Sequence, residues 1–317
     1  MKKVLCIGSV TTDVIIKPVD ALPTPGELQF IDSSSMFVGG CASNASIDLA
    51  KLGVPVSLCV KLGKDLFGHF VYDTCKEAGV DVRGCVMDEG VQTTTSIVCV
   101  NSDGERSFLY NGGSTSAMTD KDISDELIAD ADIVFLAGAL LTHGLDGEPA
   151  AKMFAKAQSM GKFTVMDTAW DPTGRWMKGV EAALPHLDLF MPSIEEAQKI
   201  AGKEDFDDIA DVFFAKGVKN VIIKAGKKGA YIREGGKEGY FAPTYLSIKP
   251  TDTTGAGDSF CAGFLAGLAQ DFDFEKSAKL GNAVGTHCVM ELGASTGIKP
   301  LAEIYKFMEE HTDEVAL

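Results

Sequence analysis

Strand-like and helix-like segments alternate regularly through most of this chain. Short apolar runs predict buried strands, and the stretches between them have helical periodicity. The predicted strands are residues 4–7, 56–61, 133–136, 163–166, 187–191 and 221–224, and the predicted helices are residues 42–52, 66–78, 148–160, 175–184, 194–201, 206–216, 257–269, 275–290 and 301–310. Such alternation favours a doubly wound α/β fold, in which helices flank a mostly parallel sheet. We therefore expect residues 1–317 to form a single domain.

The first third of the chain departs from this alternation. Residues 14–17 and 29–37 resemble exposed strands with no helix between them. Residues 93–111 predict a hairpin, because two strand-like stretches flank Asn-Ser-Asp-Gly at 101–104. Inserted strands that return to the same domain can cover a ligand cleft. We expect a small β-strand lid at about residues 11–37 and 93–111.

The most informative segment is Asp-Thr-Thr-Gly-Ala-Gly-Asp-Ser-Phe at residues 252–260, which leads into an apolar helix. Small residues such as Gly255 at a helix start let a ligand approach the backbone, and the free N–H groups bind anions. If the anion is a phosphoryl group, Asp258 can accept the proton of an attacking hydroxyl. The N–H groups of Ala256 and Gly257 would then stabilise the developing charge. Taken alone, Asp258 is as readily an ordinary acidic residue of a first helical turn.

A second glycine turn precedes a helix at Gly39 and Gly40. Asn44 follows in the first turn of that helix, where its amide could face a ligand hydroxyl. Taken alone, such a segment more often serves only packing and turn geometry. A third segment places Lys224 and Gly226 at the end of a predicted strand, a position that suits a nucleotide at the edge of an α/β sheet.

Several other classes of site are absent from the sequence. It contains no Walker-type phosphate loop, no HExxH motif and no nucleophile elbow. A formal charge of −16 disfavours nucleic acid as a partner. The eight cysteines form no CxxC pair, which is typical of reduced thiols in a cytoplasmic protein. We also expect no signal peptide and no membrane span.

Together these segments resemble the two signatures of the PfkB family of carbohydrate kinases, also called the ribokinase-like family. One signature is the Gly-Gly helix start with Asn44, and the other is the run at residues 252–260. Their order and spacing agree over nearly the whole chain. The resemblance implies a ribokinase-like fold and an ATP-dependent kinase that uses Mg²⁺. The acceptor would be a small sugar bound under the lid, and an acidic cleft with Asp13 and Asp258 favours a neutral one.

The resemblance also implies a role for each matching residue. Asp258 matches the catalytic base, and Gly255, Ala256 and Gly257 match the anion hole. The residues that match the acceptor site are Asp13, Gly39, Gly40, Asn44, Asn111 and Asp258. The residues that match the ATP site are Ser193, Lys224, Gly226, Gly229, Gly257 and Asn282.

The implied metal sites are of two kinds. Glu196 matches a carboxylate that orients magnesium through water. Asp252 and Thr254, with Glu291 and Gly293, match a loop pair that binds a monovalent cation in many members. Oxygen ligands of this kind suit K⁺ better than a transition metal.

One departure from the family pattern is at Ser193, where the family has an asparagine whose amide reaches the phosphates. This substitution leaves the nucleotide affinity open. The substrate is open too, because the same motifs serve nucleoside kinases. A nucleoside would need an aromatic shelf, for which the lid offers Phe30, Phe37, Phe108 and Tyr110.

Two rivals from other classes and the oligomeric state complete the expectations. A non-catalytic sensor of sugar or nucleotide would not need the carboxylate of Asp258. A nicotinamide dehydrogenase would need a glycine-rich turn after the first strand, where only Gly8 occurs. The resemblance also leaves open a homodimer formed through the lid strands.

Overall fold

The computed structural model describes residues 1–315. Within these residues the strands are β1 (Val4–Gly8), β2 (Thr11–Lys17), β3 (Ser33–Gly39), β4 (Val56–Cys59), β5 (Lys61–Gly63), β6 (Val86–Asp88), β7 (Thr95–Val100), β8 (Arg106–Asn111), β9 (Ile133–Ala139), β10 (Phe163–Thr168), β11 (Leu189–Phe190), β12 (Asn220–Lys224), β13 (Ala230–Glu234) and β14 (Tyr240–Ala242). The α-helices are α1 (Cys41–Lys51), α2 (Leu66–Glu77), α3 (Gly113–Ala117), α4 (Asp125–Ala129), α5 (Glu148–Ser159), α6 (Met177–Val180), α7 (Ile194–Ala201), α8 (Phe206–Ala215), α9 (Ala256–Ala269), α10 (Phe274–Val289) and α11 (Leu301–Glu310).

The main sheet has eight strands in the order β14-β13-β12-β11-β10-β9-β1-β4. The strands from β12 to β4 are parallel, and β13 and β14 add an antiparallel edge. Side chains of β1 alternate between the two faces, as the pleat requires. Val4 and Cys6 pack with residues of α1, α9 and α10, whereas Leu5 and Ile7 pack with residues of α5, α7 and α8. Helices therefore cover both faces, which confirms the predicted doubly wound α/β fold.

Four of the inserted strands form a separate sheet, the lid sheet, in the order β3-β2-β7-β8. Its strands lie close to the two predicted stretches, but their bounds differ. The predicted strand at 14–17 starts earlier, because Thr11 pairs with Gly39 and carries the ladder to the end of β3. The predicted strand at 29–37 starts later, at Ser33. Residues 29–32 have no partner strand within residues 1–315, because β2 ends at Lys17, which pairs with Ser33.

Some strands and one helix outside the lid were predicted wrongly or missed. The predicted strand at 56–61 is two strands, because β4 joins the main sheet while β5 pairs with β6. The predicted helix at 175–184 shrinks to α6. Trp176 precedes α6 with a φ of 42°, a left-handed value that interrupts a right-handed helix. Strands β13 and β14 were not predicted.

The carboxyl ends of the parallel strands define the edge at which both glycine turns lie. α1 follows Gly40, and its first N–H group is held by Ser9 Oγ, just beyond the end of β1, at 2.9 Å. α9 packs against α1 and α10. Ligands of open α/β sheets bind at such an edge. No helix within residues 1–315 combines the length and apolar character needed to cross a membrane.

Candidate active site

The turn before α9 is one that only glycine can form. Gly255, the N-cap residue, has a φ of 78°, in the left-handed region that other residues rarely adopt. A Cβ built on Gly255 would lie 2.6 Å from the Cα of Ala294, which no real side chain tolerates. Asp258 lies in the first turn of the helix that follows. The catalytic carboxylate that we predicted is therefore carried by a closely packed turn.

Two backbone N–H groups at this helix start are available to an anion. In the described chain, those of Gly257 and Asp258 donate to no protein acceptor, whereas the N–H of Ala256 donates to the carbonyl of Thr253 at 3.3 Å. That bond is long, so an anion could compete for the donor. The role predicted for Ala256 stays a prediction. The N–H of Asp258 is a further donor that the sequence analysis did not include.

Asn44 connects the two glycine turns. Its Nδ2 donates a hydrogen bond to Oδ2 of Asp258 at 2.8 Å, although the residues are 214 positions apart. The Oδ1 atom of Asn44 is buried and has no partner in the described chain, so it is available to a ligand donor. Burial raises the pKa of Asp258, and the bond from Asn44 opposes that rise. A carboxylate with a raised pKa is suited to accept a proton near neutral pH.

Lys224 faces the same turn from the end of β12. Its Nζ lies 2.7 Å from Oδ1 of Asp167, and a Cβ built on Gly257 would lie 3.4 Å from this Nζ. Burial lowers the pKa of Lys224, but the charges of neighbouring groups, with Asp167 foremost and Glu196 among them, together raise the pKa well above its ordinary value. Lys224 thus keeps a positive charge beside the free N–H groups. This is the position from which a lysine can neutralise phosphate oxygens.

Ser193 and Glu196 begin α7 with a capping box. The hydroxyl of Ser193 accepts from the N–H of Glu196 at 3.4 Å, and Oε2 of Glu196 accepts from the N–H of Ser193 at 3.1 Å. Thr168 also donates to Oε2 of Glu196, at 2.8 Å. The serine that replaces the expected amide therefore caps a helix. Its predicted contact with ATP stays a prediction.

The carboxylates around Lys224 can be tested against the needs of magnesium. Within residues 1–315, no three His, Cys, Asp or Glu residues are grouped so as to hold a metal by themselves. Magnesium usually keeps several waters and takes one or two carboxylates together with substrate phosphates. Burial raises the pKa of Glu196, and the negative charge of Asp167 raises it further. Asp167 itself lies beside Lys224. These residues fit a magnesium ion held mainly by the phosphates of a nucleotide.

Asp13 lies within β2 of the lid sheet. A Cβ built on Gly39 would lie 2.3 Å from Oδ2 of Asp13, so the glycine leaves room for the carboxylate. Burial raises the pKa of Asp13 to about 6. The carboxylate makes no hydrogen bond to another side chain or backbone N–H in the described chain and is free to accept from a ligand. Gly40, with a φ of 91°, turns the chain beneath it into α1.

The two faces of the lid sheet separate Tyr110 from Asn111. Ser96 pairs with both Asp13 and Tyr110, so these three side chains share a face. Asn111 lies on the opposite face and lines a cavity of about 630 Å³ with Leu109 and others. Its amide accepts from the N–H of Gly113 and donates to Gln92. The acceptor contact predicted for Asn111 stays a prediction, and Tyr110 is the neighbour of Asp13.

The predicted nucleotide segments pack into one wall. A Cβ on Gly229 would lie 2.0 Å from the carbonyl oxygen of Ala242, so strand β14 requires this glycine. Asn282, on α10, donates from Nδ2 to the carbonyls of Ala242 and Pro243, both at 2.9 Å. Gly226 begins the 3₁₀ turn between β12 and β13. The roles of these residues toward ATP stay predictions, and Asn282 already has a structural task.

The residues predicted to hold a monovalent cation form two adjoining turns. The carboxylate of Asp252 accepts from the N–H of Thr254 at 3.0 Å and from the N–H of Gly293 at 3.1 Å. Cys288 Sγ lies 3.3 Å from the carbonyl oxygen of Thr254 and 3.2 Å from that of Ala294. Carbonyl oxygens of both turns thus meet at the Cys288 thiol, and oxygen groups of this kind suit a weakly charged cation. The predicted cation site stays a prediction.

Glu291 stands apart from this convergence. Its side chain pairs with Lys299 at 3.2 Å and is 45% exposed, so its backbone carbonyl is the group that could serve a cation.

Two charged residues near the site were not singled out from the sequence. Asp167 pairs with Lys224, and Arg106 reaches from the lid sheet to Asp252 at 3.2 Å. An acidic residue at the end of a buried strand was a usable signal for Asp167. Arg106 gave no such signal, because a lone arginine on a predicted hairpin is ordinary.

Comparison with known proteins gives this arrangement a context. A sequence model described as "pfkB family carbohydrate kinase" matches residues 1–300. The chain is 25% identical over 298 residues to the 2-dehydro-3-deoxygluconokinase of Bacillus subtilis, covering 89% of this chain and 90% of that protein.

Solved structures agree in fold. The structure of Arabidopsis thaliana ribokinase complexed with ribose and ATP matches with a TM-score of 0.85 at 22% identity, covering 97% of this chain and 99% of that one. The nucleoside kinase of Methanocaldococcus jannaschii matches with a TM-score of 0.81 at 22% identity, covering 98% of this chain and 99% of that one. These likenesses show a ribokinase-like fold.

Proposed function

Because the chain belongs to the pfkB family of carbohydrate kinases, we propose that it transfers the γ-phosphate of Mg·ATP to a hydroxymethyl group of a small neutral sugar. The observation that carries this proposal is the meeting of Asp258, Asn44 and Lys224 at one glycine turn. A carboxylate, free N–H donors and a buried cation at one point provide the parts that phosphoryl transfer needs.

The proposed reaction is an in-line displacement at the γ-phosphorus. The acceptor oxygen forms a bond to phosphorus while the bond to the bridging oxygen of ADP breaks. The hydroxyl proton passes to the carboxylate of Asp258. The N–H groups of Gly257 and Asp258, with Lys224, stabilise the charge on the transferring group. Glu196, acting through water, would hold a magnesium ion, and that ion would offset the negative charge of the phosphates when bound.

The acceptor would lie between Asp13 and Asp258. An acceptor-only carboxylate such as Asp13 suits two neighbouring hydroxyls. Two acids facing one cleft disfavour an anionic acceptor, and this supports a neutral sugar. Gly39, Gly40 and Asn44 complete the proposed acceptor site, and the buried Oδ1 of Asn44 without a partner supports a contact there.

A nucleoside is the second candidate acceptor. Tyr110 shares the face of Asp13, and Phe37 pairs with Asp13 across β2 and β3. Aromatic rings beside the hydroxyl-binding carboxylate could stack on a base. The similarity to a nucleoside kinase structure is one of fold alone. A non-catalytic sensor has less support, because family membership points to a kinase.

We further propose that the outer face of the lid sheet joins two copies of the chain. Met36 and Leu109 lie on the face opposite Asp13 and are 46% and 51% exposed. Apolar groups exposed together on one face favour association. Leu109→Asp should shift the protein from dimer to monomer in light scattering after size exclusion. A wild type that is monomeric at micromolar concentration would contradict the dimer.

The test of the activity is an ADP-release screen of the full-length protein with Mg·ATP. The panel contains neutral pentoses and hexoses, nucleosides and sugar acids, with Asp258→Asn as the matched control. We expect release with at least one neutral sugar, and release by the variant should be slower by about 10²–10⁴. Release with nucleosides alone, or with sugar acids alone, would overturn the proposed acceptor class. Release by the variant at more than about a tenth of the wild-type rate would overturn the role of Asp258.

A further inference from the structure

Two residues of the lid sheet contact the turns that precede the catalytic helix. From β8, Arg106 donates from Nη1 to Oγ1 of Thr254 at 2.8 Å and from Nη2 to Oδ1 of Asp252 at 3.2 Å. From β3, the ring of Phe37 lies against the facing turn, since a Cβ built on Gly293 would lie 3.9 Å from Cδ1 of Phe37. β3 and β8 are the two edge strands of the lid sheet. The lid is thus attached to the main body at both of its edges.

Asp252 is the centre of these contacts. Its side chain is only 7% exposed, and it holds the two turns together through the N–H groups of Thr254 and Gly293. Gly255, which must keep its left-handed conformation for α9 to begin, directly follows Thr254 and is three residues after Asp252. A side chain that bonds to Asp252 therefore affects the conformation of the turn that carries Asp258.

Arg106 and Asp13 lie on the same face of the lid sheet. Tyr110 shares the face of Asp13, and Arg106 is four residues earlier on β8, so the strand period of two puts it on that face. An acceptor gripped by Asp13 would sit under this face. Arg106 then connects one end of this face of the lid sheet to the turn before α9.

We propose that Arg106 is a positioning residue, whose bonds to Asp252 and Thr254 make closure of the lid and ordering of the turn before Asp258 a single event. The guanidinium is planar and can bond both oxygen groups at once. When the lid opens, the carboxylate of Asp252 loses its only cationic partner in the described chain. Lid closure over an acceptor would then stabilise the turn, and an ordered turn would favour the closed lid.

This inference rests on the proposed kinase function for its catalytic consequence, but not for the contact itself. Its plain alternative is a surface ion pair with little effect, which is common when one partner is exposed. The side chain of Arg106 is 40% exposed and that of Asp252 is 7% exposed. The pair is therefore intermediate between an exposed surface ion pair and a buried one. The experiment must therefore separate a coupling from a passive contact.

Three variants make the separation. Arg106→Met removes the charge and keeps the aliphatic stem, and Arg106→Lys restores a charge without the planar fork. Arg83→Met is the matched control, because Arg83 bonds Asp81 and Asp130 in a similar exposed ion pair outside the proposed site. Hydrogen exchange is measured on the full-length protein for peptides covering residues 33–39, 106–111 and 252–258.

We expect Arg106→Met to speed exchange about tenfold at residues 252–258 as well as in the lid peptides, and Arg83→Met to leave all three unchanged. With the acceptor found in the ADP-release screen, kcat should fall about tenfold and acceptor KM should rise, with partial recovery in Arg106→Lys. Exchange that changes only in the lid, or a kcat equal to wild type, would overturn the coupling. If the wild type phosphorylates no compound of the panel, the proposed function fails. The exchange result still shows whether Arg106 couples the lid to the turn at residues 252–258.

Discussion

The main sheet and the lid sheet bury their residues to very different degrees. Every residue of β9 in the main sheet is buried, whereas every residue of β8 in the lid sheet is exposed. Lys224 and Asp167, which form an ion pair beside the turn that carries Asp258, extend from strands of the main sheet. The acceptor grip that we propose, Asp13, comes from the lid sheet.

This difference suggests a division of labour. A close-packed sheet holds its side chains within narrow limits, which phosphoryl transfer requires because positioning supplies most of the catalysis. A thinly packed sheet opens at low free energy, as a lid must when substrate enters and product leaves. Substitutions in the main body should therefore affect rate or stability, and substitutions in the lid should affect acceptor binding, except at Arg106, which also contacts the turn before α9.

The largest expected effect is that of Asp258→Asn. Losing the general base should lower kcat by about 10²–10⁴, while the melting temperature and the affinity for ATP stay close to wild type. Steady-state ADP release at saturating substrates measures the rate, and calorimetric titration measures ATP binding. Retention of more than about a tenth of the activity would show that Asp258 is not the base.

The stability contrast is tested by one phenylalanine from each sheet. Phe135 is fully buried in β9, and Phe108 in β8 is 61% exposed. Phe135→Ala should lower the free energy of unfolding by about 3–5 kcal/mol, because it leaves a cavity in the core. Phe108→Ala should lower it by less than about 0.5 kcal/mol. Urea unfolding followed by circular dichroism gives both values, and equal losses would remove the distinction between the sheets.

The substrate contrast is tested by Asp13→Ala. Without the carboxylate, acceptor hydroxyls lose their partner, and the apparent KM for the acceptor should rise at least about tenfold. The KM for ATP should change little. A deoxy analogue that lacks the contacted hydroxyls should bind the variant no worse than the parent compound does. A variant that melts several degrees lower with unchanged acceptor KM would make Asp13 a structural residue.

The pKa of Asp13 predicts a pH dependence of acceptor binding. Burial raises this pKa to about 6, so the carboxylate is ionised above pH 6 and becomes protonated below it. A protonated group accepts fewer hydrogen bonds, and acceptor KM should rise as the pH falls through about 6. Asp13→Asn cannot titrate and should show a flat acceptor KM between about pH 5 and 7. A variant profile that matches the wild type would assign the titration to another group.

The smallest expected effect is that of a monovalent cation. Carbonyl oxygens of the two turns that Asp252 joins meet at Cys288 Sγ. We predict that K⁺ raises the rate over Na⁺ or tetramethylammonium by a few-fold, on the order of 1 kcal/mol in barrier. The rates are compared at equal ionic strength with both substrates saturating. Identical rates in the three salts would contradict a role for K⁺.

The sequence predicted local structure better than it predicted contacts. Helix α11 has the bounds that its periodicity indicated, residues 301–310, and the turn before α9 was readable because Gly255 and Gly257 determine its backbone locally. The bond between Asn44 and Asp258, by contrast, could be expected only from a family resemblance. No short-range pattern reports that two residues will meet across the fold.

The contacts that the sequence did not predict share one physical cause. Lys224 and Asp167 are 57 positions apart, and Arg106 and Asp252 are 146 apart. Their meeting depends on strand order and on where the lid closes, neither of which a charge pattern encodes. Strands β13 and β14 were missed for a related reason, because each offers an apolar run of only three residues, and antiparallel pairing at the sheet edge makes them strands.

The separation of Asn44 from Asp258 also has a consequence for synthesis on the ribosome. The amide emerges 214 positions before the carboxylate that it holds. At about 5–20 residues per second, the second partner follows roughly 10–40 s later. During that interval α1 has no α9 to pack against, and its buried face remains exposed to other proteins. A nascent chain that ends before α9 should thus depend on chaperones and have no activity, however well its first strands have formed.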